Sequence, residues 1–568
     1  MAMSAEGLST ISLQGARVSR GNLTRNRIRW VILALVLVFG LVGARLVQLG
    51  SVVNDQTIEG QARDVITATR PPILDRNGLE MAVDIRVPSL YAEPRRIIDV
   101  DEAVEKLREV LPDIDKEWLR KRLTGDKGFV WVKRELSPAI QERILRLGIP
   151  GLDFLTESKR FYPGGPEAAH MLGAVNIDNQ GIAGIERVMD TESVALLQSI
   201  GLARDQALAP VALSVDLRVQ HAMREQLVDA LTRYQAVAAA GVMLDVRTGE
   251  VVAMVSLPDF DPNDPATALL EGRMNRITAG KFELGSTMKT VTAAAALDSG
   301  KVKITDTFDA RFGVRFGRYT IDDFHGKHRI LSVPEIYKYS SNIGTIHIMQ
   351  ALGKDEFRAF LTRVGFDAPL AIELPEKTRS AIPAKFSDVV AATASFGHGM
   401  SITPLHMASA MAAFVNDGNY VPPTMYKRSL EEARAMYVPV IQPSTSRYIR
   451  YLMRLNALEG SGSRMNKFSD GYRVGGKTGT AEKVINGRYA KNVNMNVFTS
   501  AFPLDNPRYA MLIIVDEPKR ENPQSGETAG WNAGEVTGRI VAQVAPMLGI
   551  APDFSEMVDS SIVPMELR

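Results

Sequence analysis

A mixed α/β fold is predicted by three features of this sequence. Residues 239–246 and 251–255 are apolar β-type runs joined by the turn Arg247-Thr248-Gly249-Glu250. Three further strand-like runs, at 473–475, 496–502 and 509–515, come only near the end of the chain. Segments of helical character lie between them. Strands at both ends with helices between give a domain whose sheet is assembled from both ends of its chain. The length allows roughly three to four domains. A content of 45% hydrophobic and 23% charged residues is ordinary for a globular protein.

The first element is apolar. Residues 30–50 read WVILALVLVFGLVGARLVQLG; about 20 such residues cross a bilayer as a helix. Arg45 is the single charge and lies near one end, where a long cationic side chain reaches the interface. Arg17, Arg20, Arg25, Arg27 and Arg29 precede the run, with no acid between Arg17 and Trp30. The positive-inside rule then keeps residues 1–29 in the cytoplasm as a basic tail and exports everything after Gly50. A buried core helix and a signal peptide cleaved near Val42-Gly43-Ala44 are the rival readings. The apolar pattern resumes beyond Arg45, which favours an uncut anchor.

Residues 51–235 mix short extended pieces with helices. Arg70-Pro71-Pro72 and Asp75-Arg76-Asn77-Gly78 are turn signals. Residues 101–123 carry helical spacing, with Val104, Leu107, Val110 and Leu111 on one stripe. Phe161-Tyr162-Pro163-Gly164-Gly165 marks a loop, 211–215 a strand, and 217–234 a long amphipathic helix able to join two domains. The second domain is expected over 236–550, followed by a tail at 551–568. Its helices are expected at 286–297, where Ser299-Gly300 is a stop signal, and at 333–352, 354–364, 404–416 and 533–548.

Several chemistries are not indicated. A net charge of +2 gives no basic field for nucleic acid, and no local basic patch stands outside the N-terminal tail. The absence of cysteine excludes disulfides, thiol catalysis and cysteine-ligated metals. The seven histidines show no H-E-x-x-H or similar spacing, and neither a G-x-S-x-G elbow nor a nucleotide-binding P-loop is present. No cofactor or metal is therefore expected. His325 and His398, in polar, Gly-rich surroundings, read as structural or substrate-lining.

Ser286-Thr287-Met288-Lys289 is the most informative stretch. A serine and a lysine three apart share one face of a helix. The Ala-rich run at 292–296 favours helix, and the free N–H groups of a helix start favour developing negative charge. A serine hydroxyl needs an adjacent base. Lys289 serves only when neutral; burial and a second cation, which Lys477 can supply, both lower a lysine pKa. The tetrad alone is weak, since about one or two occur by chance in a chain this long. An N-cap serine beside an exposed lysine is the bland reading.

Ser340-Ser341-Asn342 follows the aromatic pair Tyr337 and Tyr339. The Ser340 hydroxyl can relay a proton between the two lysines and a leaving amine, while the Asn342 amide orients Lys289 and binds substrate backbone. By itself this motif would be a polar turn. Lys477-Thr478-Gly479-Thr480 follows Gly475-Gly476. Gly479 leaves room for a substrate beside a strand edge, where it can add as a further strand. Thr478 and Thr480 can bind a carboxylate with Lys477 supplying charge, and the N–H groups of Ser286 and Thr480 can form an oxyanion hole. A tight turn is the alternative here. In this order, the three motifs together point to a serine acyltransferase for penicillin-like or D-Ala-D-Ala substrates.

At these residues the chain resembles a class B penicillin-binding protein, over nearly its whole length after the tail. Arg70-Pro71-Pro72-Ile73-Leu74-Asp75-Arg76-Asn77-Gly78 looks like the opening of the family's non-catalytic pedestal. Arg160-Phe161-Tyr162-Pro163, with Gly173, Gly181, Gly184 and Glu186, resembles a second pedestal signature. Gly249-Glu250-Val251-Val252-Ala253-Met254 and Pro258-Asp259-Phe260-Asp261-Pro262-Asn263 look like the start of the transpeptidase domain. Gly397-His398-Gly399 with Thr403-Pro404 is similar to another family segment. The resemblance implies a single transmembrane helix at 30–50, an elongated α+β pedestal with a linker helix at 51–235, and a penicillin-binding transpeptidase domain at 236–550. That domain would carry a mainly antiparallel sheet flanked by helices. The implied catalytic set is Ser286, Lys289, Ser340, Asn342 and Lys477, and the substrate-binding set Thr478, Gly479 and Thr480. The implied reaction is D,D-transpeptidation of peptidoglycan stem peptides: Ser286 releases D-Ala, and an amine of a neighbouring stem resolves the acyl-enzyme. Penicillins and other β-lactams would acylate the same serine.

The Ser340-Ser341-Asn342 version and the arginine-rich tail look more like the cell-division member of the class, often called penicillin-binding protein 3; the elongation member commonly has Asp at the third position. That likeness implies a single-pass protein of the bacterial inner membrane, bulk periplasmic, at the division septum. Its implied partners are a polytopic septal glycosyltransferase and other division proteins. An elongation-type transpeptidase and a D,D-carboxypeptidase remain alternatives, as do a β-lactam sensor and an idle division scaffold. A soluble-type serine β-lactamase would need a glutamate in E-x-x-L-N between the second and third motifs. Here the similar Glu271-Gly272-Arg273-Met274-Asn275 precedes Ser286 instead. One departure from the family pattern is Ala533-Gly534-Glu535, where an Ala-Pro pair often precedes the last helix.

Overall fold

The computed structural model describes residues 30–43, 45, 70–191, 209–485, 488–555 and 560–568. Residues 30–43 are helical and exposed. The rest of the expected span, residues 44 and 46–50, and the tail at 1–29 lie outside the described residues. Among the described residues, no helix is long and apolar enough to cross a membrane. Pro88–Leu155 belongs to one compact unit, and Thr67–Val87 with Thr156–Arg568 to another.

In the smaller unit, the stripe expected over 101–123 is divided between two helices, Val100–Val110 and Lys116–Leu123. Pro112 explains the break, because it lacks an N–H and pushes the preceding residue, Leu111, out of helical conformation. Asp99 and Asp115 cap the two helices, accepting from the N–H groups of Asp101 and Glu102 and of Trp118. Val104, Leu107, Leu119 and Leu123 form a core with Val130 and Val132. The strand Val130–Lys133 pairs antiparallel with residues 90–92.

In the larger unit, the two pedestal signatures meet in a buried ion cluster. Glu186 accepts from Arg160 Nε at 2.6 Å and from Arg70 Nε at 2.9 Å. Arg160 also reaches Asp84 at 3.0 Å, and Arg70 the carbonyl of Asn179 at 2.9 Å. The side chains of Arg70, Arg160, Asp84 and Glu186 are almost fully buried. Charges so deeply buried persist only because each finds partners. The backbone of Tyr162 bonds the Asn263 side chain twice, each at 3.0 Å, tying this cluster to the start of the second domain.

The second domain is built from α1 (Leu217–Arg233), β1 (Ala238–Asp245), β2 (Val251–Leu257), α2 (Met288–Asp298), α3 (Val333–Tyr339), α4 (Asn342–Leu352) and α5 (Pro404–Val415). It continues through α6 (Pro443–Glu459), β3 (Gly475–Ile485), β4 (Arg488–Phe502), β5 (Tyr509–Asp516) and α7 (Ala533–Met547). The five strands form one antiparallel sheet in the order β3-β4-β5-β1-β2. The late strands therefore pair with the early ones, Ile513 lying opposite Gly241. Side chains along β5 alternate: Met511, Ile513 and Val515 pack with α1 and α7, while Ala510, Leu512 and Ile514 face α2, α5 and α6. Cover on both faces explains why the central strands read as unbroken apolar runs. The run expected at 473–475 proves much longer, because β3 begins at Gly475 and carries the third motif within it. Lysine and glycine have weak strand signals, and the pairing with β4 overrides them.

Two further elements position the site. α2 is buried from Met288 to Leu297, the mark of a core helix rather than a surface one. The helix expected over 333–352 is broken at Ser340, which caps α3 in the left-handed region at φ 57°. Ser341 then caps α4 by accepting from the Gly344 N–H at 2.9 Å. Serines compete for backbone hydrogen bonds, so this break follows from their side chains. α7 starts at Ala533, capped by Asn532, despite the departure from the family pattern. Glu535 there is buried and accepts from Arg233, Arg464 and Arg539, joining α7 to α1 and to the short helix Ser463–Asn466 after α6.

Candidate active site

Ser286 lies in the 3₁₀ turn Gly285–Thr287 that leads into α2. Gly285 has φ +53°, a conformation glycine adopts freely, and a Cβ there would stand 2.8 Å from the Thr480 carbonyl oxygen and 3.1 Å from its nitrogen. Gly479 has the matching role on β3: a Cβ would overlap the Leu284 carbonyl and approach Thr287 Cγ2 to 2.9 Å. Two glycines thus let the turn that carries Ser286 lie directly against the strand that carries the third motif. β3 is the edge strand of the sheet, so its outer side is free to accept an extended chain. Ser286 is half-buried, and among the described residues its hydroxyl makes no hydrogen bond.

The remaining motif residues meet around Ser340. Lys289 Nζ lies 3.1 Å from Ser340 Oγ and 2.8 Å from Asn342 Oδ1, and it bonds the Ser340 carbonyl as well. Lys477 Nζ reaches the same Ser340 Oγ from the other side, at 3.0 Å. Both amines are buried, Lys289 at 2% and Lys477 at 0% exposure. Burial, then the charge of Lys477, hold Lys289 well below the ordinary amine range, against the pull of Asp323. Burial alone brings Lys477 down to about 7. Lys289 Nζ donates to the Ser340 carbonyl, to the Ser340 hydroxyl and to Asn342 Oδ1; on losing a proton it keeps two N–H donors and gains a lone pair.

Thr478 and Thr480 diverge. Thr478 is buried and its Oγ1 lies 2.6 Å from Ser461 Oγ. Thr480 is half-buried, and its Oγ1 accepts from the Ala529 N–H at 3.1 Å. Ser461 is a site-lining residue that motif reading missed. The glycines flanking it, Gly460 and Gly462, were the available signal, since such glycines mark a tight loop. Asn456 on α6 fastens that loop, accepting from the Ser461 N–H at 3.1 Å while donating to the Gly476 carbonyl at 2.8 Å. Asp323 was also missed; it touches Ser341, Asn342 and Ile343. His398 packs against Phe396 and Tyr489, and burial lowers its pKa. His325 is exposed and packs on Phe324.

Two buried amines with lowered pKa values and a hydroxyl between them are the kinds of group a serine acyltransferase without histidine requires. Comparison with known proteins agrees. The Penicillin binding protein transpeptidase domain matches residues 239–541, and the Penicillin-binding Protein dimerisation domain matches residues 65–192. The "Probable peptidoglycan D,D-transpeptidase FtsI" of Caulobacter vibrioides is 36% identical over 85% of this chain and 82% of its own length. The "Peptidoglycan D,D-transpeptidase FtsI" of Escherichia coli is 28% identical over 92% of this chain and 91% of its own. The fold is shared with penicillin binding protein 3 of Mycobacterium tuberculosis, solved in complex with aztreonam. That structure aligns with a TM-score of 0.65 and 23% identity, covering 85% of this chain and 97% of the other. The chain belongs to the penicillin-binding protein family, among its class B, penicillin-binding protein 3-like members.

Proposed function

We propose that this chain is a peptidoglycan D,D-transpeptidase of cell division that works through a serine acyl-enzyme. The observation that carries the reading is the meeting of two buried amines at the Ser340 hydroxyl, one of them on Lys289, three residues after Ser286 in the chain. The Ser286 hydroxyl attacks the carbonyl of the D-Ala-D-Ala bond, and neutral Lys289 takes its proton. The N–H groups of Ser286 and Thr480 stabilise the oxyanion, a contribution of about 10²–10³-fold per donor. Ser340, bridging the two lysines, passes a proton to the departing D-Ala amine, and an ester on Ser286 remains. The amine of a second stem peptide attacks that ester, gives up a proton along the same path and restores the hydroxyl. Asn342 orients Lys289 and binds substrate backbone. Thr478, Gly479 and Thr480 receive the donor stem along the β3 edge, with Lys477 facing its carboxylate.

Residues 1–29 form the cytoplasmic tail, 30–50 the inner-membrane anchor, 51–235 the pedestal, 236–550 the catalytic domain and 551–568 a tail. The basic flank and the apolar run of the sequence support that topology. A septal glycosyltransferase and other division proteins are the partners this reading requires, and β-lactams its covalent inhibitors. The test is labelling of the full-length chain with a fluorescent penicillin, read by intact mass. The wild type gains one adduct and Ser286→Ala gains none; equal labelling of both would place the nucleophile elsewhere. Depletion in the source cell separates the roles, since filaments indicate division and rounded cells elongation.

A further inference from the structure

We propose that Asp323 is a positioning residue for acylation: by fastening the start of α4 to the loop at 322–329, it holds Asn342 and Ser340 against Lys289. The inference rests on the acyl-enzyme reading above. One carboxylate collects three donors here. Its Oδ1 accepts from the N–H groups of Asn342 and, at 3.0 Å, Ile343; its Oδ2 accepts from the Ser341 hydroxyl at 2.7 Å. The first N–H groups of a helix have no partner within it. Among the described residues the Ser341 hydroxyl accepts only from the Gly344 N–H. Asp323 reaches from another part of the chain to satisfy the two before it, those of Asn342 and Ile343, so α4 is capped twice.

The adjoining residue completes the clamp. The Asp322 carbonyl accepts from Asn342 Nδ2 at 3.2 Å. That contact fixes which end of the amide faces inward, and Oδ1 is left pointing at Lys289 Nζ, 2.8 Å away. Ser340 offers Lys289 both its carbonyl and its hydroxyl from a left-handed conformation, which has little tolerance for movement of the residues that follow it. The second motif therefore reaches Lys289 through backbone and amide atoms that Asp322 and Asp323 hold.

The carboxylate also acts through its charge. Three titratable groups bear on Lys289: Lys477 from β3, His398 from the loop after the helix Asp388–Ser395, and Asp323. Tyr337 of α3 lies under Lys477, 5.7 Å from ring centroid to Nζ. Asp323 favours the protonated form of Lys289, opposing burial and Lys477.

The experiment measures the rate of labelling by a fluorescent penicillin against pH, for the full-length wild type, Asp323→Asn, Asp323→Glu and Ser341→Ala, with thermal unfolding of each. Asp323→Asn should acylate more slowly, by about 10²-fold, as expected for a small misplacement of catalytic groups. Its acid limb should move to lower pH, because an anion favouring protonated Lys289 is gone. Asp323→Glu should return the limb toward its wild-type position while recovering only part of the rate. Ser341→Ala keeps the charge and loses one of the three donors, so it should be slowed with the limb unmoved. Wild-type rates in Asp323→Asn, or slowing that is equal at every pH with only a lower Tm, would overturn the proposal. A wild type that gains no adduct at Ser286 would instead overturn the acyl-enzyme reading itself.

Discussion

Lys289 and Lys477 share a single hydrogen-bond partner, the Ser340 hydroxyl, at 3.1 and 3.0 Å. Two ammonium ions cannot both be comfortable at that separation in a buried site. The environment favours loss of a proton at both: burial and then the charge of Lys477 lower Lys289, and burial lowers Lys477.

Lys289→Met is expected to remove the proposed base without unfolding the protein. General-base catalysis contributes about 10²–10⁴-fold, and labelling by a fluorescent penicillin should fall by that factor. The buried amine carries a desolvation cost that an isosteric apolar chain does not, so the melting temperature should hold or rise. Labelling at the wild-type rate would remove Lys289 from the mechanism.

The stability of the fold should depend on pH through Lys477. Its amine titrates near 7 in the folded chain, below the ordinary 10.5 it regains on unfolding. Between those values the unfolded chain binds more protons, so stability rises with pH through that window, by on the order of a few kcal/mol. Denaturation of the wild type and of Lys477→Met should therefore diverge, with the wild type gaining on the variant as pH rises from about 7 to about 10. Parallel curves would mean that Lys477 carries no such shift.

Gly479→Ala should disable the site by geometry alone. The added methyl group overlaps the Leu284 carbonyl, which is backbone and cannot swing aside. The turn carrying Ser286 must then part from β3, at a cost of about 1–3 kcal/mol in stability. Acylation should fall much more than stability does, because the proposed oxyanion donors, the N–H groups of Ser286 and Thr480, lie one on each side of that contact. A variant that acylates normally would show that the turn and the strand need not touch.

Glu186→Ala tests the buried ion cluster. It leaves Arg70 and Arg160 without their shared carboxylate, and removing one partner of a buried pair costs roughly 3–5 kcal/mol. The expected result is a large drop in melting temperature, with the acylation rate of the remaining folded protein unchanged. Full stability would mean that the neighbouring carboxylates of Asp84 and Asp190 compensate both arginines.

The three motifs were legible because each has a fixed spacing of reactive residue types. So were the apolar strands, whose both-sided burial leaves an unbroken signal. The break at Ser340 was not legible, since Tyr337 and the residues after Asn342 keep helical spacing on both sides of it. Asp323 and Ser461 were missed for another reason. Each sits in a polar loop and acquires its role only through what folds against it.

By itself, the sequence determined which groups are available: a serine and a lysine one turn apart, a Ser-Ser-Asn turn, a lysine before threonine and glycine, and no cysteine at all. It also determined that one sheet is made from both ends of the catalytic domain. Tertiary structure decided that α2 is enclosed on every side, that β3 lies against the turn of Ser286, and that Asp323 reaches the start of α4. An amine is pushed toward its neutral form when packing removes water, and further when a second cation is brought close, and no spacing along the chain encodes either condition.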